Sequence, residues 1–217
     1  MSLWAVVPVK SFARAKARLS PALSAAERAS LSHTLFQHII GTLRACRAVS
    51  NTMVATDCDE VERLARDSGA YVIRDEPGAS LACVVDAAVA RCRGRGATAV
   101  LVAMADLPFV EPRDIEKILQ LPTRAPLIAA PDTESKGTNA LLLRDLSIAT
   151  QFGRADSFAR HLALAPRAVS YHCDGLALDI DEPRDLRAAR LIAEAAVPDE
   201  LLVGTENRVR VRDTVQR

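Results

Sequence analysis

Apolar residues in this chain come in short continuous runs, separated by longer stretches in which they recur every three or four positions. Leu3 to Val9, with three valines and a tryptophan, reads as a buried strand. Ser24 and Glu27 outline a capping box, and Leu31, Leu35, Ile39 and Leu43 then recur at intervals of four, which predicts a helix to about Arg47. Thr52 to Thr56 reads as a strand, Cys58 to Ser68 as a helix closed by Gly69, and Tyr71 to Arg74 as a third strand. A helix over Ala82 to Arg93 ends at Gly94 and leads to the most apolar strand, Ala99 to Met104. Pro112 opens a short helix before another strand, Leu127 to Ala130. Beyond Pro131 the pattern loosens: Ala140 to Leu143 is apolar, Ser157 to Ala165 suits a short helix, Ala177 to Ile180 a strand, and Pro183 to Ala196 a helix. Strands alternating with helices predict an α/β fold built on a mostly parallel sheet flanked by helices.

The length of 217 residues suits one large domain, and no linker, repeat or low-complexity tract divides it. The expected division is a domain over 1–196 and a carboxyl-terminal extension over 197–217. Within that extension Asn207 to Thr214 alternates valine with arginine, as an edge strand or a homodimer contact would. A net charge of +1 and only 4% aromatic residues argue against a nucleic-acid partner. No apolar run reaches the length of a membrane span or a signal sequence, so no membrane partner is expected. The five cysteines are irregularly spaced and form no Cys-x-x-Cys pair, which speaks against a disulfide framework or structural zinc and for a cytoplasmic location.

The candidate chemistry lies in carboxylates that follow apolar runs. AVLVAMADLP stops on Asp106, and LDID carries Asp179 and Asp181 on one side of an extended segment, with Ile180 on the other. Such oxygens at strand ends suit a hard divalent cation such as Mg²⁺, which takes one or two carboxylates plus substrate phosphates. The competing role for Asp181 is to cap the helix that begins at Pro183. Lys10, Arg14, Lys16 and Arg18 leave the first strand together and could cradle a triphosphate or simply be solvated. Neither a P-loop nor a Gly-x-Gly-x-x-Gly fingerprint is present. Lys136-Gly137-Thr138-Asn139 reads as a polar loop, and Phe152-Gly153 with Asp156-Ser157 as a second, either of which could bind a small anion or be ordinary turns. His161, just beyond that loop, is a further candidate for ligand contact, whereas His33 and His38 fall in the first long helix.

Five motifs in order, VPVKSFARAKARL, MADLP, PDTESKGTNALLL, FGRADSFARH and LDIDEPRDL, resemble the guanylyltransferases of coenzyme F-420 biosynthesis over Val6 to about Leu186. That family joins GMP from GTP to 2-phospho-L-lactate, phosphoenolpyruvate or 3-phospho-D-glycerate. The resemblance implies a single-domain nucleotidyltransferase-like, Rossmann-like fold. It further implies Mg²⁺ on Asp106, Asp179 and Asp181, GTP phosphates at Lys10 or Lys16 with Arg14 beside them, and the phosphorylated acid at Thr138, Asn139, Gly153 and Ser157. Ser80-Leu81-Ala82 stands where members carry Gly-Leu-Asn, so Ser80 and Leu81 are placed near the nucleoside on a departing motif. Composition rich in Ala and Arg leaves phosphoenolpyruvate and 3-phospho-D-glycerate open, with a slight lean to the latter. Two other classes share some of these features: a nucleotide-sugar glycosyltransferase with an Asp-x-Asp metal site, and a noncatalytic GTP-binding module.

Overall fold

The computed structural model describes residues 2–76, 78–121 and 124–195. The proposed extension, with its Asn207 to Thr214 strand and its dimer contact, lies outside these residues.

β1 (Leu3–Pro8) is almost wholly buried and runs through two short 3-10 turns, Phe12–Arg14 and Ala17–Leu19, into α1 (Ala25–Ala45). The capping box is present, with Ser24 Oγ accepting from the Glu27 N–H and the Glu27 carboxylate accepting from the Ser24 N–H. β2 (Val49–Thr56), α2 (Asp59–Asp67), β3 (Tyr71–Arg74) and α3 (Leu81–Gly94) follow. Gly69 leaves α2 at a φ of +83°, a conformation that costs a glycine nothing and ends the helix sharply. Then come β4 (Ala99–Ala103), α4 (Pro112–Gln120), β5 (Leu127–Pro131), β6 (Thr138–Leu143), α5 (Ser157–Ala163), β7 (Val169–Ser170), α6 (Asp174–Ala177) and α7 (Pro183–Ala195).

The seven strands form one sheet in the order β3-β2-β1-β4-β6-β5-β7. All neighbouring pairs are parallel except those of β6, which runs antiparallel to β4 and β5. Alternation along the central strands divides the core between the two faces. Leu3, Ala5, Val7 and Leu101 pack with α1 and α4 on one side, while Trp4, Val6, Val100 and Val102 pack with α3 and Phe158 of α5 on the other. A small third cluster, Leu19, Leu35 and Ile180, pins the turns after β1 and the LDID segment to α1.

Strand order reverses between β1 and β4, and in open α/β sheets ligands bind beyond the carboxyl ends of the strands at such a switch. Because β6 runs the other way, Ala140 pairs with Ala103 and the amino end of β6 reaches the same edge.

Two expectations are corrected here. Ala177 to Ile180 is not a strand: one helical turn, α6, precedes an irregular extended segment. The carbonyls of Leu176 and Ala177 accept from the Asn139 side chain, and the Ile180 N–H donates to the Asp106 carbonyl, so side-chain and isolated bonds replace a ladder. Thr138 and Asn139 belong to β6 rather than to a polar loop, and both are buried.

Candidate active site

The loop leaving β1 turns back on itself at Lys16, whose φ of +57° is left-handed and uncommon for a residue with a Cβ. That turn sends the Lys16 ammonium inward. It donates to Asp106 Oδ2 at 2.6 Å and lies 3.8 Å from Asp181 Oδ1, with its side chain 10% exposed. Arg18 Nη1 stands 3.0 Å from Asp181 Oδ2. Arg14 reaches the other way and pairs with Asp57 at 2.6 Å, and Lys10 lines the pocket between them.

The Asp181 carboxylate faces these cations. The first-turn Asp185 does the work at the start of α7, where its carboxylate accepts from the N–H groups of Asp181 and Glu182. Asp179, two residues back, accepts from Asn139 Nδ2 at 3.2 Å. Burial and the neighbouring Asp106 carboxylate push the Asp179 acid up to about 6. Asp106 Oδ1 is buried and has no hydrogen-bond partner among the described residues.

An unpaired buried carboxylate oxygen beside two further aspartates is a donor set that suits a hard cation. Among the described residues no three His, Cys, Asp or Glu side chains are close enough to enclose a metal by themselves. A cation here would therefore be completed by non-protein oxygens, the usual case for Mg²⁺ with a nucleotide.

Three pockets meet at this edge of the sheet. One of about 410 Å³ is lined by Lys10, Lys16, Leu81, Asp106 and Asp181. A second of about 430 Å³ shares Val9, Lys10, Arg14 and Leu81 with it and extends to Asp57 and Asp75. A third of about 260 Å³ lies across Asp181 and is lined by charges of both signs, with Arg18, Lys136, Arg154 and Arg184 among acids that include Glu134, Asp179 and Glu182.

The remaining expected residues surround these spaces unevenly. Ser80 caps α3, its Oγ accepting from the Cys83 N–H at 3.2 Å, and Leu81 forms a wall common to the first two pockets. Gly153 packs behind it at a φ of +82°, where a Cβ would lie 3.4 Å from that of Leu81.

Thr138 and Ser157 are buried and line none of the three pockets; their hydroxyls lie 3.2 Å apart. Thr138 Oγ1 is also 2.9 Å from His161 Nδ1, while His161 Nε2 accepts from the Gln151 N–H at 2.9 Å. His161 is fully buried, and desolvation lowers its pKa to about 4. Asn139 likewise faces inward, to the 176–179 segment.

Sequence reasoning did not single out Asp57 and Asp75. The signal that marked Asp106, an acid just past an apolar run, also marks both: Asp57 follows β2 and Asp75 follows β3.

The family profile "Guanylyl transferase CofC like" matches residues 3–211. The chain belongs to this family. Relatives of the CofC-like guanylyl transferase include the phosphoenolpyruvate guanylyltransferase of Conexibacter woesei, 34% identical over 196 residues and covering 88% of each chain. That of Rubrobacter xylanophilus is 36% identical over 203 residues, covering 91% of this chain and 97% of its own. The 2-phospho-L-lactate guanylyltransferase of Methanothermobacter thermautotrophicus is 28% identical, covering 93% of this chain and 90% of its own. Among solved structures, one from Desulfovibrio desulfuricans G20 superposes with a TM-score of 0.74 at 16% identity over 90% of each chain. A nucleotidyl transferase from Methanothermobacter thermautotrophicus gives 0.62 at 15% identity, over 89% of this chain and 99% of its own. At such identities the superpositions establish the nucleotidyltransferase fold of the CofC-like chain and nothing finer.

Proposed function

We propose that this CofC-like chain transfers GMP from GTP to a phosphorylated three-carbon acid, phosphoenolpyruvate foremost, in coenzyme F-420 biosynthesis. The observation that carries the proposal is the Lys16 ammonium seated between Asp106 and Asp181, where the 410 Å³ pocket meets the 260 Å³ one. In the reaction a phosphate oxygen of the acid attacks the α-phosphorus of GTP, the bond to the β-phosphate oxygen breaks, and pyrophosphate leaves. A phosphate monoester has its second pKa near ~6, so the nucleophile is already ionised at neutral pH and no general base is needed. Catalysis is then positioning and charge neutralisation.

In this reading Lys10, Arg14 and Lys16 meet the triphosphate, and Arg18, Lys136, Arg154 and Arg184 hold the phosphate and carboxylate of the acid, Arg18, Lys136 and Arg184 exchanging their ion pairs with Asp181 and Glu134 for it. Asp106 with Asp179 or Asp181 would supply one or two oxygens to Mg²⁺, the nucleotide phosphates completing its shell, and the bound ion would neutralise charge developing on those phosphates. Thr138, Gly153 and Ser157 are assigned to the acid by resemblance alone, and opening of the Thr138–Ser157 contact would be needed for their hydroxyls to reach it. Phosphoenolpyruvate leads because relatives named for it share 34–36% identity with this chain. The lean to 3-phospho-D-glycerate had only composition behind it. A nucleotide-sugar glycosyltransferase would bind a nucleoside diphosphate sugar and leave Lys10 and Lys16 beside the first strand without a triphosphate to meet, and a noncatalytic module would release no pyrophosphate.

The test is pyrophosphate release by the full chain with GTP, Mg²⁺ and each of phosphoenolpyruvate, 2-phospho-L-lactate and 3-phospho-D-glycerate, with product masses read in parallel. A mass equal to GMP joined to one acid is the expected result, and silence with all three overturns the proposal. Asp106→Asn should lower turnover by roughly 100-fold or more while leaving the circular dichroism spectrum unchanged. An Asn variant with wild-type rates would remove Asp106 from the site.

A further inference from the structure

We infer that Asp75 selects the nucleobase, accepting from the two adjacent N–H donors of guanine in the 430 Å³ pocket beyond the phosphate site. This rests on the nucleotide role just proposed and assigns a task to a pocket and a carboxylate which that role leaves unused. The pocket shares Val9, Lys10, Arg14 and Leu81 with the 410 Å³ space, so a nucleotide with phosphates beside Lys16 extends its base into it. Its remaining walls, Ala79 and Val84, are apolar, as the faces of a heterocycle require.

Specificity must then come from the ring's edge, and three acids are at hand. Asp57 is committed to Arg14 at 2.6 Å, and Glu76 is exposed. Asp75 is partly buried, and its carboxylate has no hydrogen-bond or ion-pair partner among the described residues. Its backbone is held firmly, because Arg74 pairs with Thr56 at the end of the β2–β3 ladder and the Asp75 N–H donates to the Thr56 carbonyl at 3.1 Å.

An ionised carboxylate only accepts hydrogen bonds. Guanine presents N1–H and an exocyclic amine side by side, spaced to meet two carboxylate oxygens. Adenine offers a ring acceptor at the matching position, as cytosine does, which sets lone pairs against lone pairs. Hypoxanthine keeps N1–H and lacks the amine. Burial and the Asp57 charge push the Asp75 acid up to about 6, so a ligand donor pair relieves a carboxylate held where ionisation is costly.

The experiment measures binding of GTP, ITP, ATP and CTP to the full chain by calorimetry, for the wild type and for Asp75→Asn, with pyrophosphate release from GTP and phosphoenolpyruvate followed alongside. In the wild type, GTP should bind about tenfold or more tighter than ITP, the effect of one charge-assisted hydrogen bond, and roughly 100-fold tighter than ATP or CTP. In Asp75→Asn the GTP-to-ITP ratio should collapse to within about threefold. A wild type that binds ITP as tightly as GTP overturns the inference whether or not the variant folds. So does a folded variant that keeps the wild-type ratio. Guanine selectivity that depends on Asp75, without pyrophosphate release from GTP and phosphoenolpyruvate, would support the inference and overturn phosphoenolpyruvate as the acceptor in the proposed reaction.

Discussion

His161 shows how much a single side chain's surroundings decide. Its Nε2 accepts from the Gln151 N–H, so in the neutral ring the proton sits on Nδ1 and is donated toward Thr138 Oγ1. The ring is fully buried, and desolvation lowers its pKa to about 4 from an ordinary value of 6.5. As pH falls from 6.5 toward 4 the unfolded chain takes up the proton first. The stability this neutral histidine contributes is therefore full above 6.5 and is lost toward 4, by about 3 kcal/mol at most. The raised Asp75 and Asp179 acids act in the opposite sense over the same interval and are common to both proteins, so in urea unfolding the stability of His161→Gln relative to the wild type should rise as pH falls from 6.5 to 4; a constant difference would refute the account. Sequence inspection marked His161 only as a candidate for ligand contact, because a histidine after a glycine loop looks the same whether it faces a pocket or a core. Asp106 was legible for the opposite reason: an acid that ends a run of apolar residues has few places to go except the strand's open end.

At the scale of elements, the first half of the sheet could be read almost residue by residue. β3 and the capped start of α1 fall where periodicity and the Ser24–Glu27 box put them. Both signals are local, needing only neighbours within one turn or one pleat. In the second half β5, α5 and α7 were legible too, but the 177–180 segment and the polar start of β6 were not, because they are held by partners distant in sequence. Asn139 Nδ2 donates to the Leu176 and Ala177 carbonyls at 3.0 Å each and to Asp179 Oδ1 at 3.2 Å, and so replaces the ladder that LDID would otherwise need. Asn139→Ala should cost about 2 kcal/mol of stability by leaving buried carbonyls unpaired. Turnover should fall by a larger factor than stability explains, since Asp179 and Asp181 lose their anchor. Urea denaturation and pyrophosphate release on the same preparation check both halves of that expectation.

For the whole molecule, the sheet is a shared wall: its central strands carry alternate residues into both cores, so neither face can melt alone. Trp4, the single tryptophan, is 3% exposed and reports on the α3 face, whereas far-UV circular dichroism reports on helices of both faces. The two transitions in urea should coincide, and separated midpoints would show that the faces unfold independently. No helix among the described residues is long and apolar enough to cross a membrane, in keeping with this two-sided globular core. The sequence by itself determined the α/β class, most of the strands and helices, and the acids and cations to which the chemistry is assigned by proposal, because hydrophobic periodicity and motif order are properties of neighbouring residues. Only the tertiary structure decided that β6 runs antiparallel and brings Asn139 to the site. It also decided that Lys16 bridges Asp106, 90 residues along the chain, and the still more distant Asp181, and that Asp75 is left unpaired in a pocket. Those are matters of which distant groups satisfy one another once water is excluded, and no local pattern encodes them.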